Sequence, residues 1–426
     1  MPRDRLRILV VSHFVPSRQS GGRVRLRGLL HGLAASHAVS LLAFVPPGGE
    51  DADTIEAARG YCDEVVIVPN ERLGPTGSAK RALQLYSLLS VKSYQRLKYD
   101  RPSLQAALDR MCARSRYDVV HVEGCYMAHY AFAPEAVVVL DEQNIEYDVQ
   151  RRTAAVARSV PRKIFNYLDH LKLRLEEERS WRVVDACSVA SAGDEATIRR
   201  AFSSARTAVV PNAVDTEFFS PRGGQPERGT VLFFGELGYY PNTDAVLFLL
   251  EDVMPLIKAS NPSVRVVVVG PSAPPEIRRW ASPDVLMTGR VEDIRPYLDR
   301  AHVVVVPLRI GGGTRLKILE AMAMGKPIVS TRLGAEGLAV TDQRDILLAD
   351  GARAIADQVD RVLRDDQLAA ELGAAAHRLV QASYDWRSSV RQLEDLYQRA
   401  IVSHRSAAFA APAAVSSATP PGEPVQ

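Results

Sequence analysis

The chain has 426 residues, too many for one ordinary domain and enough for two that each bury a core. Its 53 basic and 50 acidic residues leave a net charge of +3, which argues against nucleic acid as a partner. Four scattered cysteines (Cys62, Cys112, Cys125, Cys187) include no C-x-x-C pair, which excludes a disulfide framework and a cysteine metal site and fits a reduced compartment.

No apolar run reaches bilayer-spanning length, and the opening MPRDRLRILVVSHF reads as a first buried strand rather than a leader. A cytoplasmic location is expected, with the inner face of the membrane as an alternative setting. Short β-branched runs then recur: RILVVS, HAVSLLAFV, DEVVIVP, DVVHVEG and AVVVLDE, later ACSVAS, TAVVPN, TVLFFGE, VRVVVVGP, DVLMTG, HVVVVPL and KPIVST. Helical patterns separate them, so they read as parallel strands covered on both faces. Two such series predict an α/β chain of two doubly wound domains, residues 1–205 and 206–385, with a Pro/Gly-rich linker near 206–228. Residues 386–403 read as a helix returning toward the first domain, and 404–426 as an Ala/Pro/Ser-rich disordered tail. Ligands of such sheets sit outside the carboxyl ends of the strands, so the site is expected in the cleft between the domains.

His13 and His121 end apolar strands and are candidates for the acceptor side of that cleft. Asp141, Glu142 and Glu146 read as surface charges or as acid/base carboxylates, with surface charge the commoner case. The basic and apolar run at 151–182 turns acidic toward its end. It reads as a solvated helix or as a surface resting on anionic lipid. The most informative stretch is HVVVVPLRIGGGTRLKILEAMAMGKPIVST, 302–331. It predicts a strand, a loop of Gly311, Gly312 and Gly313, a helix capped by Thr314, and another strand. Glycines leading into a helix start make an anion site at the amides near Arg315 and Leu316. Arg315 and Lys317 add the positive charge a diphosphate requires. Glu320, on the same helical face, suits a ribose diol. No spacing of His and Asp indicates a metal.

These residues resemble the nucleotide-sugar signature of family-4, retaining GT-B glycosyltransferases, in a G-G-G-T-R-L-K variant. The likeness extends to PNAVDTEFF, FFGELGYYPNTDAVLFLLEDVMPLI, TGRVEDIRPYL and RLGAEGL, and more loosely to SHFVPSRQSGGRVRLRGLLHGL and DEQNIEYDVQRR. The resemblance implies a GT-B fold with two Rossmann-like domains facing across a cleft, and transfer from a nucleotide-sugar to a glycan, lipid-linked or small-molecule acceptor. It implies retention, a same-face attack in which the leaving diphosphate deprotonates the acceptor, and no cofactor or metal. Arg315 and Lys317 become the catalytic candidates. Glu320, Gly311, Gly312, Gly313, Thr314 and Leu316 become donor ligands, and Gly21 and Gly22 the opposing loop. Three positions depart from the family. Gly312 replaces a glutamate, Glu236 and Pro241 stand where an arginine and a lysine are usual, and Gln143 stands where many relatives have histidine. A non-catalytic nucleotide-binding subunit and a GT-B epimerase or phosphorylase are the alternatives. A dinucleotide oxidoreductase fits worse, because no G-x-G-x-x-G follows the first strand.

Overall fold

The structure is a computed structural model that describes residues 5–18, 21–50, 52–74, 77–156, 159–310 and 315–410. The first apolar series forms strands β1 (Arg7–Ser12), β2 (Ala38–Val45), β3 (Glu64–Pro69), β4 (Val119–Glu123), β5 (Val137–Glu142), β6 (Ala186–Val189) and β7 (Thr207–Val209). Between them run α1 (Gly21–Ala34), α2 (Ala52–Arg59), α3 (Gly77–Leu89), α4 (Tyr94–Tyr99), α5 (Pro102–Arg114), α6 (Glu146–Val156), α7 (Val160–Val183) and α8 (Ala192–Ala201). Every pairing is parallel, in the order β3-β2-β1-β4-β5-β6-β7. Apolar residues fill consecutive positions because helices cover both faces. Ile8 and Val10 join one core with Leu26, Leu30 and Tyr397, while Leu9 and Val11 join the other with Leu104, Met111 and Trp181.

The second series forms β8 (Thr230–Phe234), β9 (Arg265–Val269), β10 (Val285–Gly289), β11 (Val303–Val306), β12 (Ile328–Ser330) and β13 (Leu347–Leu348), ordered β10-β9-β8-β11-β12-β13 and again parallel. Its helices are α9 (Tyr240–Phe248), α10 (Met254–Ser260), α11 (Pro275–Arg278), α12 (Arg295–Arg300), α13 (Leu316–Ala323), α14 (Ala352–Arg364) and α15 (Asp366–Ser383). In each sheet the strand order reverses beside the first strand, between β1 and β4 and between β8 and β11. Such reversals open crevices at the carboxyl ends of the strands.

Two boundaries differ from expectation. Thr207–Val209 pairs with β6, so the first sheet runs past the boundary placed at 205. The last helix, α16 (Trp386–Ala410), also continues into the segment expected to be a disordered tail. His404 holds it there, bonding Asp185 Oδ1 through Nδ1 at 2.8 Å. Residues 411–426 lie outside the described residues.

Helix α16 crosses back from the second sheet onto α1. Gly28 makes room for it, since a Cβ at that position would stand 2.3 Å from Trp386 Cε2. One turn on, a Cβ at Gly32 would stand 2.5 Å from Val390 Cγ2. Ser389 Oγ donates to the Pro211 carbonyl at 2.9 Å and fastens the same turn to the crossover segment.

Candidate active site

Strand β8 is followed at once by Gly235, with φ +147°, where a Cβ would lie 2.8 Å from Lys317 Nζ. A Cβ on Gly270, at the end of β9, would lie 1.8 Å from the Gly235 carbonyl oxygen, so these strand ends meet only as glycines. Lys317 reaches this spot from the first turn of α13. Its Nζ donates to Asn242 Oδ1 at 2.8 Å and lies 4.3 Å from the centre of the Phe233 ring. A cation therefore stands beside the end of β8 although positions 236 and 241 are Glu and Pro. Lys317 and Glu320 keep only a narrow accessible edge. Burial brings the Lys317 ammonium down to about 7, helped by Arg315 and opposed by Glu320. Burial also lifts the Glu320 carboxyl to about 7, against the pull of Lys317.

Arg315 is the N-cap residue of α13, one place later than the Thr314 cap expected, and makes no side-chain capping bond. Gly311, Gly312, Gly313 and Thr314 lie outside the described residues. Burial lowers the Arg315 pKa, while Tyr239 and Glu336 favour its charge and Arg152 opposes it. Leu316 begins the helix and faces the other domain: a Cβ on Gly21 would lie 3.9 Å from its Cδ1. The starts of α1 and α13 thus meet across the cleft.

On the first domain's side, Gln143 ties the start of α1 to the end of β4. Its Nε2 donates to the Gly22 carbonyl at 3.3 Å and also to Glu123 Oε1. His13 follows β1, with Nδ1 3.2 Å from the Glu123 carbonyl and its ring edge-on to Tyr99 and Tyr126. Burial drops its pKa to about 3, so it is neutral. His121 does not face the cleft. It sits inside β4, is 1% exposed, and pairs through Nδ1 with the Tyr397 hydroxyl of α16 at 2.8 Å. Position 121 lies two residues before the carboxyl end of β4, and alternation along the strand turns its side chain toward α16.

Asp141 and Glu142, the last two residues of β5, are not surface charges, and Glu146 at the start of α6 is half-buried. Asp141 is 0% exposed and takes a two-pronged ion pair from Arg25 of α1, at 2.9 and 2.8 Å, plus the Ser188 hydroxyl at 2.6 Å. Arg25 holds its carboxyl below the usual range despite burial. Glu142 accepts from Trp181 Nε1 at 3.0 Å, and burial lifts it to about 8. Burial raises Glu146 as well. His121, Glu123 and Asp141 offer ligand atoms within 4.8 Å of one another, a grouping that sequence spacing concealed. Arg25 already occupies both Asp141 oxygens, so this trio is the base of an ion pair rather than an open metal site.

The domains also touch at Arg152 of α6, whose guanidinium binds Glu336 at 2.8 and 3.2 Å. On one side of this bridge lies a crevice of about 110 Å³ between Val149 and Thr153 of α6 and Tyr239, Tyr240 and Ile310. A cavity of about 620 Å³ opens beside it, lined by Asn144, Asp148, Arg151, Asp194, Arg200 and Gly337 among others. The cavity touches neither Lys317 nor Glu320, so this charged pair and the 620 Å³ hollow are separate parts of one cleft.

Four contributors escaped the sequence reading: Asn242, Glu123, Arg25 and Arg152. Asn242 carried a signal, standing in the first turn of the helix that follows Gly235. The others gain meaning only from partners more than a hundred residues away, or from a strand end facing a loop.

Two parallel-sheet, Rossmann-like domains facing across a cleft define the GT-B architecture. Solved structures share it along nearly the whole chain. Sucrose-phosphate synthase from Thermosynechococcus elongatus superposes with TM-score 0.69 at 19% identity, covering 94% of this chain and all of that one. HepE of Anabaena in complex with UDP-glucose gives 0.66 at 15% identity, covering 93% and 100%.

Within that architecture, residues 228–365 match the family described as Glycosyl transferases group 1. D-inositol 3-phosphate glycosyltransferases are similar too. That of Corynebacterium glutamicum (strain R) is 28% identical over 223 residues, 46% of this chain and 52% of its own length. That of Acidothermus cellulolyticus is 30% identical over 230 residues, covering 48% and 50%. The matches span about half the length of these curated relatives.

Proposed function

We propose that this chain is a retaining, metal-independent glycosyltransferase that takes a sugar from a nucleoside diphosphate donor. The observation that carries the reading is Lys317. It is a half-buried cation at the start of α13, pressed against the glycine that follows β8, with Glu320 one turn away. A diphosphate would lie against Lys317, Arg315 and the free amides of the helix start, and a ribose diol would donate to Glu320. HepE was solved with UDP-glucose, and its likeness in fold supports a nucleotide-sugar as the donor class.

In the reaction the bond from the anomeric carbon to the phosphate oxygen breaks and the electron pair leaves with the diphosphate. The acceptor oxygen bonds the anomeric carbon on the same face, and its proton passes to the leaving phosphate oxygen. Lys317 and Arg315 stabilise the charge that develops on that oxygen. This route needs no strong protein base, and Asp141 and Glu142 at the end of β5 are buried and engaged elsewhere. The acceptor is a polar, hydroxyl-bearing molecule or lipid-linked glycan entering the 620 Å³ cavity, whose lining alternates arginines and carboxylates. Such a transfer fits the making of a bacterial-type surface glycan. The test is release of nucleoside diphosphate from a panel of nucleotide-sugars with polyol and glycan acceptors, in chelator, with product anomers read by NMR. Chelator-insensitive transfer with retained configuration is expected. Inversion, or a strict metal requirement, would overturn the mechanism.

A further inference from the structure

Helices α3 and α7 lie side by side on the first domain, fastened by Lys172 Nζ donating to the Ser87 carbonyl at 2.5 Å. Helix α7 buries one face, through Asn166, His170, Leu173, Glu177 and Trp181. Its opposite face is also apolar. Ile164, Leu168, Leu171 and Leu175 follow the i, i+4, i+7, i+11 spacing of one stripe, and all four are exposed. Leu85 and Leu89 extend the patch onto α3, with Leu89 91% and the following Val91 90% exposed. A monomeric soluble surface rarely leaves such a stretch of leucines to water.

The charges around it are sorted. The sequence carries Asp169, Glu176, Glu177 and Glu178 on α7, yet each is turned inward or paired. Asp169 accepts the Tyr94 amide at 2.6 Å, and Glu176 accepts the Ser93 amide at 2.9 Å. Glu177 accepts the amides of Glu146 and Tyr147, both at 2.8 Å, and Glu178 pairs with Arg174 at 2.7 Å. Every exposed charge on the two helices is basic, from Lys80 and Arg81 to Arg162, Lys163, Arg174, Arg179 and Arg182. Of the acidic turn seen in the sequence, Glu177 is buried and Glu176 and Glu178 stay half-buried against partners.

We propose that this α3–α7 face docks on a bilayer surface containing anionic lipid. The leucine stripe enters the headgroup boundary and the surrounding arginines and lysines meet lipid phosphates. The charge favours this partner over a second copy, because a symmetric pair on this face would set cation against cation. No described helix is long and apolar enough to cross a membrane, so the contact is a surface one. The inference does not depend on the glycosyl-transfer reading.

The test is co-sedimentation of the full chain with phosphatidylcholine vesicles, with and without phosphatidylglycerol, at low and high salt. Binding is expected only with phosphatidylglycerol and should weaken with salt. Removing three charges (Arg162→Ala, Lys163→Ala, Arg179→Ala) should weaken it on the order of a hundredfold, at about fivefold per cation. Leu171→Glu with Leu175→Glu should abolish it. Both variants should keep the wild-type melting temperature, because these side chains point into solvent. Equal binding to neutral vesicles, no binding to either, or a concentration-dependent dimer that Leu171→Glu disperses would each overturn the proposal.

Discussion

Lys317 and Glu320 stand three residues apart on α13, and burial moves their titrations toward each other, to about 7 in each case. A lysine lowered this far is charged below pH 7 and loses its proton above it, so diphosphate binding at higher pH must take up a proton. The affinity for a nucleoside diphosphate should fall between pH 7 and 9, by up to about tenfold per unit. Titration calorimetry in a Glu320→Gln background checks this without the carboxylate's own titration, and adding Lys317→Ala should flatten the profile. In turnover, Lys317→Ala should lower kcat by about 10²–10³, as for loss of a group facing developing oxyanion charge. Glu320→Ala should chiefly raise the donor KM, by about 10- to 100-fold, as expected for one hydrogen bond to a charged group. Steady-state kinetics separate the two, and unchanged constants in both variants would remove the site from α13.

At the scale of elements, α16 decides how the chain closes. It leaves the second domain at Tyr384 and Asp385 and lies on α1, the helix whose start forms the cleft wall. Gly28 and Gly32 permit the contact, and Tyr397 reaches through it to His121. Gly28→Ala should overpack Trp386 and cost about 1–3 kcal/mol, visible as a lower chemical-denaturation midpoint. An unchanged midpoint would mean that α16 rides loosely on α1. The Arg25–Asp141 pair sits under the same helix start, and Asp141→Ala should cost about 3–5 kcal/mol because it strands a buried guanidinium. Here the sequence was only partly legible. The strands announced themselves, since runs such as ILVV and VVVV fit parallel strands covered on both sides. Asp141 and Glu142 did not, because a carboxylate at a strand end looks solvent-bound until Arg25, 116 positions away, is placed against it. His121 misled because it stands two residues short of the carboxyl end of β4, inside the sheet rather than at the cleft.

For the whole molecule, the two sheets contribute one wall each, and the walls touch where Gly21 faces Leu316 and Arg152 binds Glu336. The Arg152–Glu336 pair is partly exposed and worth at most about 1 kcal/mol, so it is a light latch rather than a lock. The cleft's place outside the carboxyl ends of both sets of strands was legible from the alternation of strands and helices, while the strand-order reversals were not. The partnership of Lys317 with Gly235 and Asn242 was not, because it joins α13 to the end of a strand far earlier in the chain. The most direct test of the central claim is thermal stabilisation of the wild-type chain and the Lys317→Ala variant against a panel of nucleoside diphosphates and their sugars. A ligand at about a hundred times its Kd adds roughly 2.7 kcal/mol. Selective stabilisation by one diphosphate and its sugar, lost in the variant, is the predicted result. Stabilisation of both proteins alike, or of neither by any nucleotide, would contradict the account.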